Sequence, residues 1–182
     1  MRSAQRLALT LALGVVAFAI GDLVSAQSTP QQPKPGPEHE QLGYFIGTWH
    51  YGGEFRVEPE GKFSATVTCE WFSGGFHVLC RAQGSGDRGP IEELGIFGYS
   101  RVDRAFTWYA IGRTGGGTRV NLGTRQGNTW TYEWEGRVGG KPAKFRYSFT
   151  EETPTAFTYR LERSVEGGPW TAVIEAKGSK AE

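Results

Sequence analysis

The sequence is short of the residues that most often carry chemistry. Its 182 residues include three histidines, two cysteines and one methionine. His39, His50 and His77 stand apart, and none falls in a metal spacing such as His-x-x-x-His. No serine sits in a Gly-x-Ser-x-Gly elbow, so the hydrolase signature of a strained strand-to-helix turn is missing. Neither sign of charge is in excess, with 20 Lys plus Arg against 19 Asp plus Glu. A near-neutral chain has no basic field to hold nucleic acid or an anionic membrane. One apolar run stands out, Leu7 to Ile20, and it is too short to span a bilayer comfortably. No helical pattern is long enough to cover a sheet face, which disfavours an α+β fold.

The apolar run belongs to a leader pattern. Met1-Arg2-Ser3-Ala4-Gln5-Arg6 is basic, the apolar core follows, and Val24-Ser25-Ala26 offers small residues at a cleavage site. Residues 1–26 therefore read as a signal peptide cut after Ala26, with an uncleaved anchor as the alternative. The product is expected in the periplasm or outside the cell. Residues 27–37 are rich in Gln, Ser and Pro and read as a solvated tether. Residues 38–178 read as one domain and 179–182 as a tail.

Glycine and aromatics are abundant, 27 Gly with 6 Trp, 7 Tyr and 11 Phe. That mixture suits short strands joined by tight turns and is foreign to disordered chains. From about Ile46 the chain alternates apolar and polar residues, strand after strand. The clearest case is Phe63, Ala65, Val67, Cys69 and Trp71 against Ser64, Thr66, Thr68 and Glu70. Ten strands are expected, joined mostly by Gly turns, which forces antiparallel neighbours. Gly115-Gly116-Gly117 is such a turn; no Lys-Ser/Thr or helix follows to make it a phosphate cradle. Strand five, Ala105 to Arg113, is apolar at both parities and cannot be oriented by pattern.

Cys69 and Cys80 flank the turn at Gly74-Gly75 and share the sum of residue numbers that a hairpin centred there requires. They fall opposite each other with side chains on the same face. In an oxidising compartment this predicts a cross-strand disulfide, with two buried thiols as the alternative. A two-residue turn would make the pair hydrogen-bonded, and a four-residue loop would make it the closer, non-hydrogen-bonded kind.

Four segments carry a family resemblance: Pro37-x-x-x-x-Leu42, Ile46-Gly47-Thr48-Trp49, Leu94-Gly95-Ile96-Phe97-Gly98-Tyr99 and Gly140-Lys141-Pro142. They resemble the bacterial family called domain of unknown function 1579. The Gly-x-Trp start is also similar to lipocalins, fatty-acid-binding barrels and the haem-binding nitrobindins. The resemblance implies an all-β, antiparallel calycin-like barrel of about ten strands with a short N-terminal helical plug. It implies that Gly47 lets the incoming turn pack closely and that Trp49 closes one barrel end. In lipocalins an Arg of the last strand stacks on that indole. The last strand here has none, so Arg163 on strand nine is the expected substitute. The family brings no catalytic set.

The remaining constellation is an aromatic face: Trp49, Tyr51, Trp71, Tyr132, Trp134, Tyr147, Phe149 and Tyr159. It is either a packed core or the wall of a pocket for a small apolar or amphipathic molecule. Tyr51, Trp134, Tyr147 and Tyr159 are the expected ligand contacts, because each adds a polar tip to an apolar body. No cofactor and no metal is expected, haem on one of the histidines being the exception left open. His50, His77 and the carboxylates Asp87, Asp103 and Glu93 read as surface. The reading is a binding protein for a small hydrophobic or lipid-like molecule. The alternatives are an enzyme such as an isomerase, cyclase or hydrolase, and a structural module with a filled core. A pair of titratable side chains facing one cavity would favour the enzyme.

Overall fold

A computed structural model of the protein describes residues 33–72, 74–113 and 120–182. The expected signal peptide, most of the tether and the Gly115–Gly117 turn lie outside them.

The chain enters through a one-turn helix, α1 (Pro37–Gln41), and a 3₁₀ turn (Leu42–Phe45). Proline at the first helical position needs no hydrogen-bond partner, and Glu38 and Glu40 complement the helix dipole. Ten strands follow: β1 (Gly47–Phe55), β2 (Gly61–Trp71), β3 (His77–Gly86), β4 (Gly89–Ser100), β5 (Ala105–Gly112), β6 (Asn121–Gln126), β7 (Thr129–Val138), β8 (Lys141–Thr153), β9 (Ala156–Val165) and β10 (Thr171–Lys180). The helix thus begins at the last residue of the expected tether. The last strand takes in Ser179 and Lys180 from the expected tail.

Each strand pairs antiparallel with its neighbours in sequence, and β1 pairs with both β2 and β10. The sheet is therefore a closed up-and-down barrel with no free edge. Closure sends alternate residues inward. On β5, Phe106, Trp108 and Ala110 share the inward parity, with Phe106 and Ala110 buried and Ile111 41% exposed. That orients the one strand whose pattern is ambiguous. Trp71 has the inward parity of β2 but stands at its final residue, where it is 41% exposed and leaves the aromatic face.

Cys69 and Cys80 are register partners and form a disulfide, with Cα atoms 4.1 Å apart. Phe72 N donates to His77 O at 2.8 Å, so four residues form the loop between them. Counting inward from that hydrogen-bonded pair makes 69–80 a non-hydrogen-bonded pair, the closer of the two kinds. Gly74 and Gly75 have φ of +88° and +72°, a region closed to most side chains.

The plug closes one end. Leu42 is fully buried, and Phe45 stacks on Phe97 at 4.5 Å and meets Trp130 and Phe149 at 5.1 Å each. Trp49 is 2% exposed, and its indole N–H donates to the Phe45 carbonyl at 2.8 Å. A polar clasp holds the same end. The Arg125 guanidinium donates to Gln41 of the helix and to Glu151 of β8, 3.0 Å each, while the Trp130 indole donates to Glu151 at 2.6 Å.

The cation over Trp49 is Lys180, with its ammonium 5.0 Å from the indole. This corrects the expectation for Arg163. Trp49 pairs with Lys180 on β10, whereas Arg163 pairs with Thr171 at the other end of that strand. Nine residues of strand, roughly 30 Å, separate the two positions. Gly47 serves the same contact. Its φ is +113°, and a Cβ there would meet Lys180 Cε at 2.8 Å, so what it admits is the lysine stem.

Removing this seal should be costly. Trp49→Ala is expected to destabilise the barrel by about 3–5 kcal/mol, the usual loss for a buried Trp. Chemical denaturation measures it, and an unchanged midpoint would show that Trp49 seals nothing.

Candidate functional site

Below the plug the barrel is not filled. A cavity of about 230 Å³ runs from Phe45 and Trp49 down to Leu161 and Ile174. An apolar cavity near 150 Å³ holds benzene, and ordinary ligand pockets begin near 300 Å³. The space suits a compact molecule somewhat larger than one benzene ring.

Its wall is a continuous belt of rings. Tyr51 lies 6.3 Å from Tyr159, which lies 5.1 Å from Tyr147. Tyr147 stacks on Trp108 at 4.8 Å, and Trp108 lies 5.9 Å from Trp134. The four residues expected to contact ligand, Tyr51, Trp134, Tyr147 and Tyr159, all line this one cavity. β1, β7, β8 and β9 each supply one of them, and barrel closure brings β1 round to β9 through β10. Trp108 is the member that pattern reading missed, because β5 is apolar on both sides.

One carboxylate faces the rings. Glu93 of β4 lines the cavity; it is solvent-exposed, as its surface reading expects, but on the inner side of the wall. Solvent reaches its side chain freely through a partly open cavity, with barrel wall on its flanks. That confinement raises its carboxyl pKa, and burial is the sole cause. Among the described residues Glu93 has no hydrogen-bond or ion-pair partner. A signal for its position existed in the register. Cys80 pairs with Gly95 and Ala82 with Glu93, so the inward face of β3 carries Glu93 inward too.

The tyrosines respond to the same confinement. Burial first, then Glu93, pushes the Tyr51 hydroxyl up to about 12. Tyr147 and Tyr159 are raised well above the ordinary phenol range by burial, and after it by Tyr159 and Glu93 for Tyr147 and by Tyr51 and Glu93 for Tyr159. All three hydroxyls are protonated at physiological pH and are available to donate or accept.

The other polar groups stand elsewhere. His39 belongs to α1 and is buried against Phe76 and Tyr99, and its Nδ1 accepts from Gly36 N–H at 3.1 Å. His50 and His77 are on the outer face. No histidine lines the cavity, so a haem held there would lack the axial ligand that those residues were expected to supply. No group of three or more His, Cys, Asp or Glu residues is placed to hold a metal ion among the described residues.

The sequence matches a family described as "Protein of unknown function (DUF1579)" over residues 34–180. The chain belongs to the DUF1579 family. A comparison with curated proteins finds no match. Among solved structures, the DUF1579 barrel is similar to Rv2717c from M. tuberculosis, with 16% identity, TM-score 0.58, and 81% of this chain covered against 99% of that one. It is also similar to the S-type phycobiliprotein lyase CPES from Guillardia theta, with 11% identity, TM-score 0.55, and 80% covered against 93%. At these identities the likeness is one of fold.

An acid kept in a confined space without a cation costs the DUF1579 barrel stability. The folded state holds the Glu93 proton more tightly than the unfolded chain does. Stability is therefore lost as pH rises above the ordinary carboxylate range, and the loss is complete once the raised pKa is passed. Glu93→Gln should raise the melting temperature at pH 7 and leave it unchanged near pH 4, measured by thermal circular dichroism. An equal or lower melting temperature at pH 7 would place a partner beside Glu93.

Proposed function

We propose that the protein binds a small hydrophobic or amphipathic molecule inside the barrel and works outside the cytoplasm. The observation that carries the binding reading is the cavity itself, aromatic on its walls and open to a few polar groups. This is the composition of a pocket that takes up an apolar body and orients one polar end. The volume favours a compact molecule over a long acyl chain. The basic, apolar and small-residue order of residues 1–26 supports export, and the Cys69–Cys80 bridge fits an oxidising compartment.

An enzymatic reading has one observation in its favour. Glu93 and the hydroxyls of Tyr51, Tyr147 and Tyr159 are titratable groups facing one cavity, the arrangement that acid–base chemistry requires. Turnover of the bound molecule, seen as a mass change on incubation, would decide for it.

Native mass spectrometry of protein purified from its own host tests the binding reading. A small molecule should accompany the chain, and Trp134→Phe with Tyr147→Phe should reduce its occupancy while the circular dichroism spectrum stays the same. Ligand-free protein that also takes up no small aromatic compound would refute it.

A further inference from the structure

The polarity of the cavity selects among ligands. Among the described residues its lining holds one acid, Glu93, and no Lys, Arg or His. Pockets built for a carboxylate or phosphate place a cation where the anion will sit, and Arg is the usual choice. Here an anionic ligand would meet a second negative charge inside a low-dielectric wall. A ligand with a positive end meets the opposite situation. Glu93 supplies the counter-charge, and Tyr51, Trp108, Trp134, Tyr147 and Tyr159 present ring faces and edges around it. Aromatic rings attract an ammonium through their negative faces, more strongly once water is excluded.

Two carboxylates withdrawn from solvent, unlike the exposed Glu93, show what this chain does with an acid it wants neutralised. Glu151 is 3.0 Å from Arg125, and Glu162 is 2.7 Å from Arg146. Among the described residues Glu93 has neither, and its carboxylate is the one charged group they bring to the cavity. A carboxylate set against a low-dielectric wall gains from a cation that arrives and displaces the water around it.

We propose that the ligand is a compact aromatic or aliphatic amine, bound as its ammonium ion, with the charged nitrogen at Glu93 and the apolar body against the ring belt. This deepens the binding reading above and rests on it. It sets aside fatty acids and other anionic amphiphiles as ligands of this cavity. Neutral molecules of the same shape fit the space but lose the ion pair.

Three probes of nearly equal shape separate the possibilities: 2-phenylethylamine, 2-phenylethanol and 3-phenylpropionate. Titration calorimetry, with fluorescence from Trp108 and Trp134 as a second readout, gives their affinities for the full folded chain at pH 7. The amine should bind at least tenfold more tightly than the alcohol, and the acid more weakly than either. In Glu93→Gln, which keeps shape and removes charge, the amine-to-alcohol ratio should fall to near one. Trp134→Leu should lower that ratio by severalfold through loss of a ring. An acid that binds as tightly as the amine, or a ratio that survives Glu93→Gln, overturns the amine assignment while the cavity reading stands. Failure of all three probes to bind at millimolar concentration overturns both.

Discussion

The pairing of β1 with β10 is the constraint on which the rest depends. Seven register pairs, from Trp49–Lys180 to Phe55–Ile174, join the first strand to the last and turn a ten-strand meander into a closed wall. Closure satisfies the backbone polar groups that an open sheet would leave at two edges. It also divides the chain into an inside and an outside at every second residue. The outer face carries ion pairs such as Arg56–Glu175 and Arg81–Glu70, both well exposed and individually worth little. The inner face carries the rings. The same pairing that closes the wall brings Lys180 across Trp49, so the seal at one end is made by the two strands that meet there.

Stability and site pull in different directions within this wall. At the plugged end the Trp49 and Trp130 indoles and both terminal nitrogens of Arg125 find acceptors. Further along, Glu93 and three tyrosine hydroxyls face open space. A barrel selected only for stability would fill that space with side chains and place no acid there. An acid on an aromatic inner wall, unpaired among the described residues, adds nothing to packing and fits a residue kept for what it meets there.

Much of this architecture was legible before the structure. Alternation along β2, β7 and β8 gave the inward residues, and the shared register of Cys69 and Cys80 gave the hairpin and its disulfide. The cavity-lining tyrosines followed because parity fixes a face and closure turns that face into a lumen. What stayed hidden has physical reasons. Arg163 has the right parity for an inward cation, but parity says nothing of height along the axis, and it pairs far from Trp49. Lys180 looks like a charged tail until β1 is known to pair with β10. Trp108 sits in a strand with apolar residues on both faces, since Tyr109 and Ile111 sit at the outward parity. Glu93 lies beside Glu92 and reads as surface unless the register is carried from Cys80 across the turn at Asp87-Arg88.

The central claim is that one carboxylate, unpaired among the described residues, faces an aromatic cavity. Carbon-13 nuclear magnetic resonance of the glutamate side-chain carboxyls, followed across pH and assigned with Glu93→Gln, addresses it directly. The account predicts that Glu93 titrates at higher pH than the glutamates of the outer face, and that its resonance shifts when 2-phenylethylamine is added. A Glu93 that titrates with the others, and is indifferent to the amine, would contradict it.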